Sequence, residues 1–229
     1  MGFFSRCTQK EIMDDMSIQD ERIDEALHEL RVINTWLGGN TTTRKGVGML
    51  LKRKTSTGLL SILDVGSGGA DIATSLSAIC PETKITALDL NKRVCEFAAR
   101  ENPSLRVIQG SVLQLPFQEQ TFDIIHASLF LHHFTEEELL RILPSLYTLS
   151  RKGIVINDLR RSVLAYLGIF LLTQLFSRSA MVKNDGPLSV RRGFTRRELV
   201  RLCESLPSAS YTIRRTWAFR WLICIVKQP

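Results

Sequence analysis

The sequence predicts an α/β fold of the Rossmann-like, doubly wound type, and three observations predict it. An apolar run at 59–65 breaks into the glycine turn Gly66-Ser-Gly-Gly69 and continues as a helical pattern. About twenty residues on, a second apolar strand, 84–89, ends in Asp89. Strand and helix patterns then alternate, which requires crossovers and so a mostly parallel sheet covered by helices on both faces.

Taken in order, residues 18–37 repeat Ile23, Leu27, Leu30, Ile33 and Leu37 at helical spacing, and Gly38-Gly39 stops that helix. Val47, Leu50 and Leu51 suggest a second short helix within 40–54. Residues 1–57 therefore read as an N-terminal helical cap and 58–229 as the main domain. The first strand, 59–65, feeds a helix from 70 to about 79. After the second strand Asn91 caps a helix to about residue 100, because its side chain can accept from the free N–H groups of the first turn. Residues 105–109, 122–127 and 153–158 read as the third, fourth and fifth strands. Thr135-Glu-Glu-Glu138 is a capping box opening a helix whose end Pro144 should disturb. Residues 163–176 are apolar nearly all round, so that helix is expected to be buried, dimeric or lining a greasy pocket. Residues 177–193, with Asp185-Gly-Pro187, read as a loop, making 160–193 a partly helical insertion. Thr195-Arg-Arg-Glu198 is a second capping box for a helix to 205, and strands 210–216 and 219–226 close the chain as a hairpin.

The chain has 229 residues, 44% of them hydrophobic, enough for one α/β domain with additions. Charge is uneven. Residues 151–229 carry 15 Lys+Arg against 4 Asp+Glu, whereas residues 1–150 carry 15 against 19. A basic C-terminal third suits an acidic substrate, an anionic carrier or a peripheral membrane contact, or is a solvated face. No nucleic-acid module is recognisable, so nucleic acid is not an expected partner. Cys7, Cys80, Cys95, Cys203 and Cys224 are scattered and odd in number, which argues for a reducing, cytoplasmic setting and against disulfides or a zinc site; no metal is expected. Met1-Gly-Phe-Phe-Ser-Arg6 begins like a myristoylation signal but has Arg6 where Ser or Thr belongs. The run 163–176 is too short to span a bilayer.

Strand, glycine turn and helix suit a nucleotide-type ligand, since bare backbone approaches it closely and free N–H groups face it. An acid closing the next strand is placed to accept from ribose hydroxyls. The third glycine of a dinucleotide fingerprint is absent, with Ala70 or Asp71 in its place, and Asp71 would repel a pyrophosphate. A nucleoside ligand without phosphate, such as S-adenosylmethionine, fits better.

Leu63-Asp-Val-Gly-Ser-Gly-Gly-Ala70 resembles the first motif of class I S-adenosylmethionine-dependent methyltransferases. Ala87-Leu-Asp-Leu90, Gly110-Ser-Val-Leu-Gln-Leu-Pro-Phe117 and the stretch 122–133, ending Leu131-His-His133, agree with later motifs over roughly 58–160. The Leu-Pro-Phe and Leu-His-His pieces are similar to the small-molecule branch that includes quinone-biosynthesis methyltransferases. This resemblance implies a seven-stranded sheet ending in an antiparallel hairpin, and N-terminal helices lying over cofactor and substrate, with Asn34, Trp36 and Thr41 to Thr43 within reach of the latter. It implies that Gly66, Ser67 and Gly68 pass the methionine part of the cofactor, with Asp64 near its amino group. Asp89 would hold the ribose, Leu90 would pack on adenine, and Ala127 and Ser128 would border the sulfonium. Ser111 stands where the family has an Asp facing adenine, so Ser111 and the Val112 backbone are adenine contacts without charge.

The sulfonium methyl is already electrophilic, so the protein's task is alignment, which can supply about 7–11 kcal/mol, helped by a general base where the nucleophile is a hydroxyl. His133 and then His132 are base candidates, although Leu-His-His is also a fold signature in this family. Asp158, at the fifth strand's end, could orient a hydroxyl or pair with Arg160 or Arg161, which could instead clamp a carboxylate. The expected function is O-methylation of a small aromatic or polyketide-like acceptor. C-methylation of a quinone-like ring and a non-catalytic cofactor-binding protein are the alternatives, and a homodimer is an open partner.

Overall fold

The computed structural model describes residues 5–51, 59–77 and 82–228. The expected boundary at 57/58, the start of the Met-Gly segment, Cys80 and the predicted ends of the helices at 52–54 and 78–79 lie outside the described residues. Two N-terminal helices, α1 (Glu21–Trp36) and α2 (Gly39–Leu51), precede β1 (Ser61–Val65), α3 (Asp71–Ser77), β2 (Lys84–Asp89), α4 (Lys92–Glu101), β3 (Arg106–Gln109) and β4 (Phe122–Ser128). Then come α5 (Glu136–Leu149), β5 (Ser150–Leu159), α6 (Val163–Phe176), α7 (Ala180–Arg192), α8 (Arg196–Glu204), β6 (Ala209–Thr216) and β7 (Arg220–Lys227). Single 3-10 turns form at Ile12–Asp14 and Leu131–His133.

The seven strands lie in the order β3-β2-β1-β4-β5-β7-β6. β1 to β5 are mutually parallel, and β7 runs antiparallel to both β5 and β6. The order reverses at β1, between β2 and β4, which is where an open α/β sheet leaves a crevice at its carboxyl edge. On one face of the sheet Leu63, Ile125 and Ile154 pack with Leu139, Leu143 and Leu146 of α5 and Leu202 of α8. On the other, Ile62, Ile124, Val155 and Leu222 pack with Val47 and Leu50 of α2 and Ile72 and Leu76 of α3. Each such buried side chain contributes about 1.5–3 kcal/mol.

The expected start signals are where the helices start. Asn91 Oδ1 accepts from the Arg93 and Val94 amides, and both capping boxes, Thr135 with Glu138 and Thr195 with Glu198, are closed reciprocally. Two expectations are corrected. Residues 177–193 are no loop: Ser179 caps α7, which runs through Gly186 and Pro187 because Met181, Val182, Leu188 and Val190 bury against the rest of the molecule. Gly186 also lets α7 approach α6, since a Cβ there would already touch Ile169 and Thr173 at 3.4 Å. Helix α5 likewise continues past Pro144 to Leu149, held by buried Leu146, Tyr147 and Leu149. Tertiary burial outweighs local helix-breaking in both cases.

A buried polar chain ties α2 to the sheet. His126 lies 2.7 Å from Asp64 through Nδ1 and 2.9 Å from Thr43 Oγ1 through Nε2. Asn157 Nδ2 donates to the Gly39 carbonyl at 3.1 Å, and buried Arg220 donates to Leu37 O, Asn34 Oδ1 and Asn157 Oδ1. Burial pulls the Arg220 guanidinium down to about 10.

Candidate functional site

The glycine turn is folded back on β2. The Gly66 and Ser67 amides donate to Leu88 O at 2.8 and 3.1 Å, with Gly66 at φ 62°, Gly68 at φ 52° and Ala70 at φ 56°. Asp89 closes the loop: Oδ2 accepts from the Gly68 amide at 3.1 Å and Oδ1 from the Asn91 amide at 3.1 Å. Each carboxylate oxygen keeps a lone pair for a further donor. Burial raises the Asp89 carboxyl above its ordinary range. Asp71 is held by Arg31 at 2.5 Å, and burial outweighs that partner and raises its carboxyl too.

A cavity of about 850 Å³ opens at this edge. Gly66, Ser67, Gly68, Asp89, Leu90, Ser111, Val112, His132 and His133 line it, together with Asn34 and Ser128. Ser67 Oγ is buried there without a hydrogen-bond partner, and Ser111 Oγ accepts from the Leu113 amide at 3.2 Å. The opposite wall is greasy: Leu164, Ala165, Gly168, Ile169 and Leu172 of α6 face it. The far side of α6 is exposed at Leu167, Phe170, Leu171, Leu175 and Phe176, so the helix lines a pocket on one side only.

Three expectations are corrected by geometry. Asp64 does not border the cavity, because its carboxylate is taken up by His126 within the sheet. Ala127 is buried below the cavity floor at 1% exposure, and its neighbours Ser128 and Leu129 border the space instead. Asp158 pairs with neither arginine. Arg161 reaches Glu198 at 2.7 Å and Gly193 O, while Arg160 lies over the Phe219 ring. Asp123 accepts from the amide and hydroxyl of Ser61, a contact that ties β4 to β1.

Asp158 instead binds His132, Oδ1 to Nδ1 at 2.7 Å, with both groups fully buried. The other ring nitrogen, Nε2, faces Glu11 Oε1 at 3.5 Å without forming a hydrogen bond. Burial alone would lower the imidazole's affinity for its proton, but Asp158 and then Glu11 outweigh it and raise His132 to about 9. Burial would raise the Asp158 and Glu11 carboxyls, and His132 holds both below their usual range. His133 Nδ1 is 2.6 Å from Asp14, which also takes Arg192 at 2.6 Å and stays well below the ordinary carboxylate range despite its burial.

Glu11, Asp14 and Arg192 carry no motif. They meet the histidines only because α7 holds the N-terminal segment, with Asp185 accepting from the Ile12 and Met13 amides at 2.8 and 3.0 Å. The one sequence signal available was Asp185-Gly-Pro187, and it pointed to a loop.

The model of a family described as a methyltransferase domain matches residues 62–153. That span holds the glycine turn, Asp89, Ser111 and both histidines. Residues 62–153 are therefore similar to a methyltransferase domain. Within the matched span the sheet edge from β1 to β4 makes the cavity floor. The demethylmenaquinone methyltransferase of Thermotoga maritima is 30% identical over 93 residues, which are 40% of this chain and 40% of that relative. The human N-acetylserotonin methyltransferase, crystallised with SAM, superimposes with TM-score 0.68 at 16% identity over 97% of this chain and 60% of that one. Magnesium protoporphyrin IX methyltransferase from Synechocystis PCC 6803, with bound SAM, gives 0.56 at 14% identity, covering 83% and 80%. The chain thus spans well under two thirds of the matched curated relative. The structural likeness extends the methyltransferase fold beyond the matched residues to α1, α2 and the closing hairpin.

Proposed function

We propose that this chain binds S-adenosylmethionine and transfers its methyl group to a hydroxyl of a small, lipophilic acceptor. The observation that carries the reading is the closed contact between the Gly68 amide and Asp89 on the floor of an apolar-walled cavity. Gly66, Ser67 and Gly68 would run along the methionine part, with the unpaired Ser67 Oγ free to bond it. Asp89 would accept from the ribose hydroxyls. Leu90, Ser111 and Val112 would hold adenine. A sulfonium nucleoside without phosphate suits a turn that carries the Asp71 carboxylate, and two structural neighbours bind SAM.

The acceptor would lie between α6 and the 131–133 turn, its oxygen against the His132 and His133 corner. His132 is better placed than His133, because Asp158 fixes its ring and its Nε2 is unbonded beside the cavity. In the transfer the acceptor's O–H bond breaks and its proton leaves to water, while His132, held protonated near neutral pH by Asp158 and Glu11, orients the oxygen. The new O–C bond forms as the methyl–sulfur bond breaks, and sulfur keeps the electron pair. Residues 5–51 act as a lid over both ligands, and 160–193 as the acceptor wall. The exposed outer side of α6, with the basic C-terminal third, gives a cytoplasmic protein a surface for a membrane holding the acceptor, or for a second copy. C-methylation of a quinone-like ring is the second reading, and the demethylmenaquinone relative favours it.

Calorimetry tests the cofactor. The wild type should bind S-adenosylmethionine, and Asp89→Ala should lose two ribose hydrogen bonds to a charged group, at about 1.5–3 kcal/mol for one such bond, hence at least about tenfold in Kd. Equal binding by the variant rejects the ribose assignment. Labelled methyl transfer to a panel of phenols and quinols then tests the chemistry. Label on oxygen supports the first reading and label on carbon the second. Binding without turnover on any acceptor leaves a cofactor-binding protein without chemistry.

A further inference from the structure

Glu11, His132 and His133 come from separate parts of the chain, and the donor atom each has free lies within 4.8 Å of the others. His132 Nε2 is 3.5 Å from Glu11 Oε1, and His133 Nε2 is 3.9 Å from Glu11 Oε2. Both rings are oriented in the same sense. Each turns Nδ1 onto an aspartate, Asp158 at 2.7 Å and Asp14 at 2.6 Å, and so presents Nε2 to the glutamate. A carboxylate on the far nitrogen is how metal-binding imidazoles are oriented and made more basic. His132 Nε2 and Glu11 Oε1 are buried atoms without a hydrogen-bond partner, and they face one another. Left so, each costs about 1–3 kcal/mol; an ion between them satisfies both.

Donors at about 2.0–2.2 Å from a tetrahedral zinc ion stand about 3.3 Å from one another. Glu11 reaches His132 through Oε1 at 3.5 Å and His133 through Oε2 at 3.9 Å, so its carboxylate stands toward both rings and the three donors would draw in around an ion. The charged groups facing the corner are Glu11, Asp14 and Asp158, against Arg192, 3.7 Å from Glu11, and Arg6, which donates to His132 O. Three carboxylates stand against two guanidiniums and the proton that His132 holds, and a divalent ion bound at Nε2 takes the place of that proton. Two imidazoles and one carboxylate with one position left over is the donor set of an open, reactive zinc site rather than a closed structural one.

We propose that Glu11, His132 and His133 bind one divalent transition-metal ion of the zinc type, with the fourth position open to the cavity. The site's existence is independent of the methyltransferase reading. Only the fourth ligand, an oxygen of the acceptor, rests on it, and a metal there would activate that oxygen directly, taking the place of the proton at His132 Nε2.

The test uses the full chain, stripped with chelator and dialysed against zinc, with metal counted by mass spectrometry and cobalt(II) as the spectroscopic probe. One equivalent of zinc should be retained, and cobalt should give the intense visible bands of a four-coordinate N/O site. Glu11→Gln and His133→Asn should each weaken zinc at least about tenfold. No retained zinc, or retention unchanged in both variants, overturns the proposal. Calorimetry with S-adenosylmethionine on the same stripped protein reports folding and the cofactor site separately. A chain that binds the cofactor and no metal loses this inference alone; one that binds metal and no cofactor loses the functional reading alone.

Discussion

Gly66, Gly68 and Gly48 show how differently one residue type is used here. Gly66 sits at φ 62°, and a Cβ on it would come within 1.9 Å of the Phe130 ring. Gly68 has φ 52° but open space, its nearest neighbour being Leu27 at 3.8 Å. Gly48 lies inside α2 with nothing within 4 Å. Alanine at Gly66 should cost about 2–5 kcal/mol, combining left-handed backbone strain with overpacking. At Gly68 the strain alone costs about 1–2 kcal/mol. At Gly48 alanine should stabilise by up to about 1 kcal/mol, since it removes backbone freedom from a helix. Urea denaturation of the three variants gives the order directly. A Gly66→Ala protein as stable as wild type would mean that Phe130 moves away freely, and with it the wall of the cavity.

Among the elements, α7 has the most to say about how the site is assembled. It reads as a loop in sequence because Asp185-Gly-Pro187 carries two helix breakers and no clean apolar stripe. In the fold its Asp185 carboxylate takes the Ile12 and Met13 amides, and its Arg192 crosses to Asp14 and to the His132 and His133 carbonyls. The helix is thus the strut that places Glu11 over the histidines. Asp185→Ala should leave two partly buried amides unsatisfied and cost about 1–3 kcal/mol. The consequence should be local: limited proteolysis should cut the first twenty residues faster, while affinity for S-adenosylmethionine, whose proposed contacts are on the sheet edge, changes little. Equal proteolysis of wild type and variant would show that Arg192 and Arg6 hold the segment without Asp185.

At the scale of the molecule, what was legible in the sequence is what is local. The turn at Gly66, the acid at Asp89 and the caps at Asn91, Thr135 and Thr195 each announce themselves within a few residues. The place of Asp64 is not legible because its partner, His126, stands on the neighbouring strand, and strand register is not written in either segment alone. Glu11 and Asp14 were invisible because they are 120 residues or so from the histidines they meet. The cavity joins these distant pieces: the N-terminal turn, the β1 to β4 edge and the α6–α7 pair all border it. A ligand filling it should therefore stabilise the chain as a whole rather than one loop. With S-adenosylmethionine at a hundred times its Kd, linkage gives about 2.7 kcal/mol, or about 5–10 °C in Tm for a domain of this size. The melting curve should move as one transition, because the sheet edge proposed to grip the nucleoside also carries the core packed beneath it. Asp89→Ala should remove most of the shift without lowering the unliganded Tm in proportion. A cofactor-dependent shift in only part of the unfolding signal would mean that the 160–193 wall and the sheet melt separately, and that the cavity between them is not a single site.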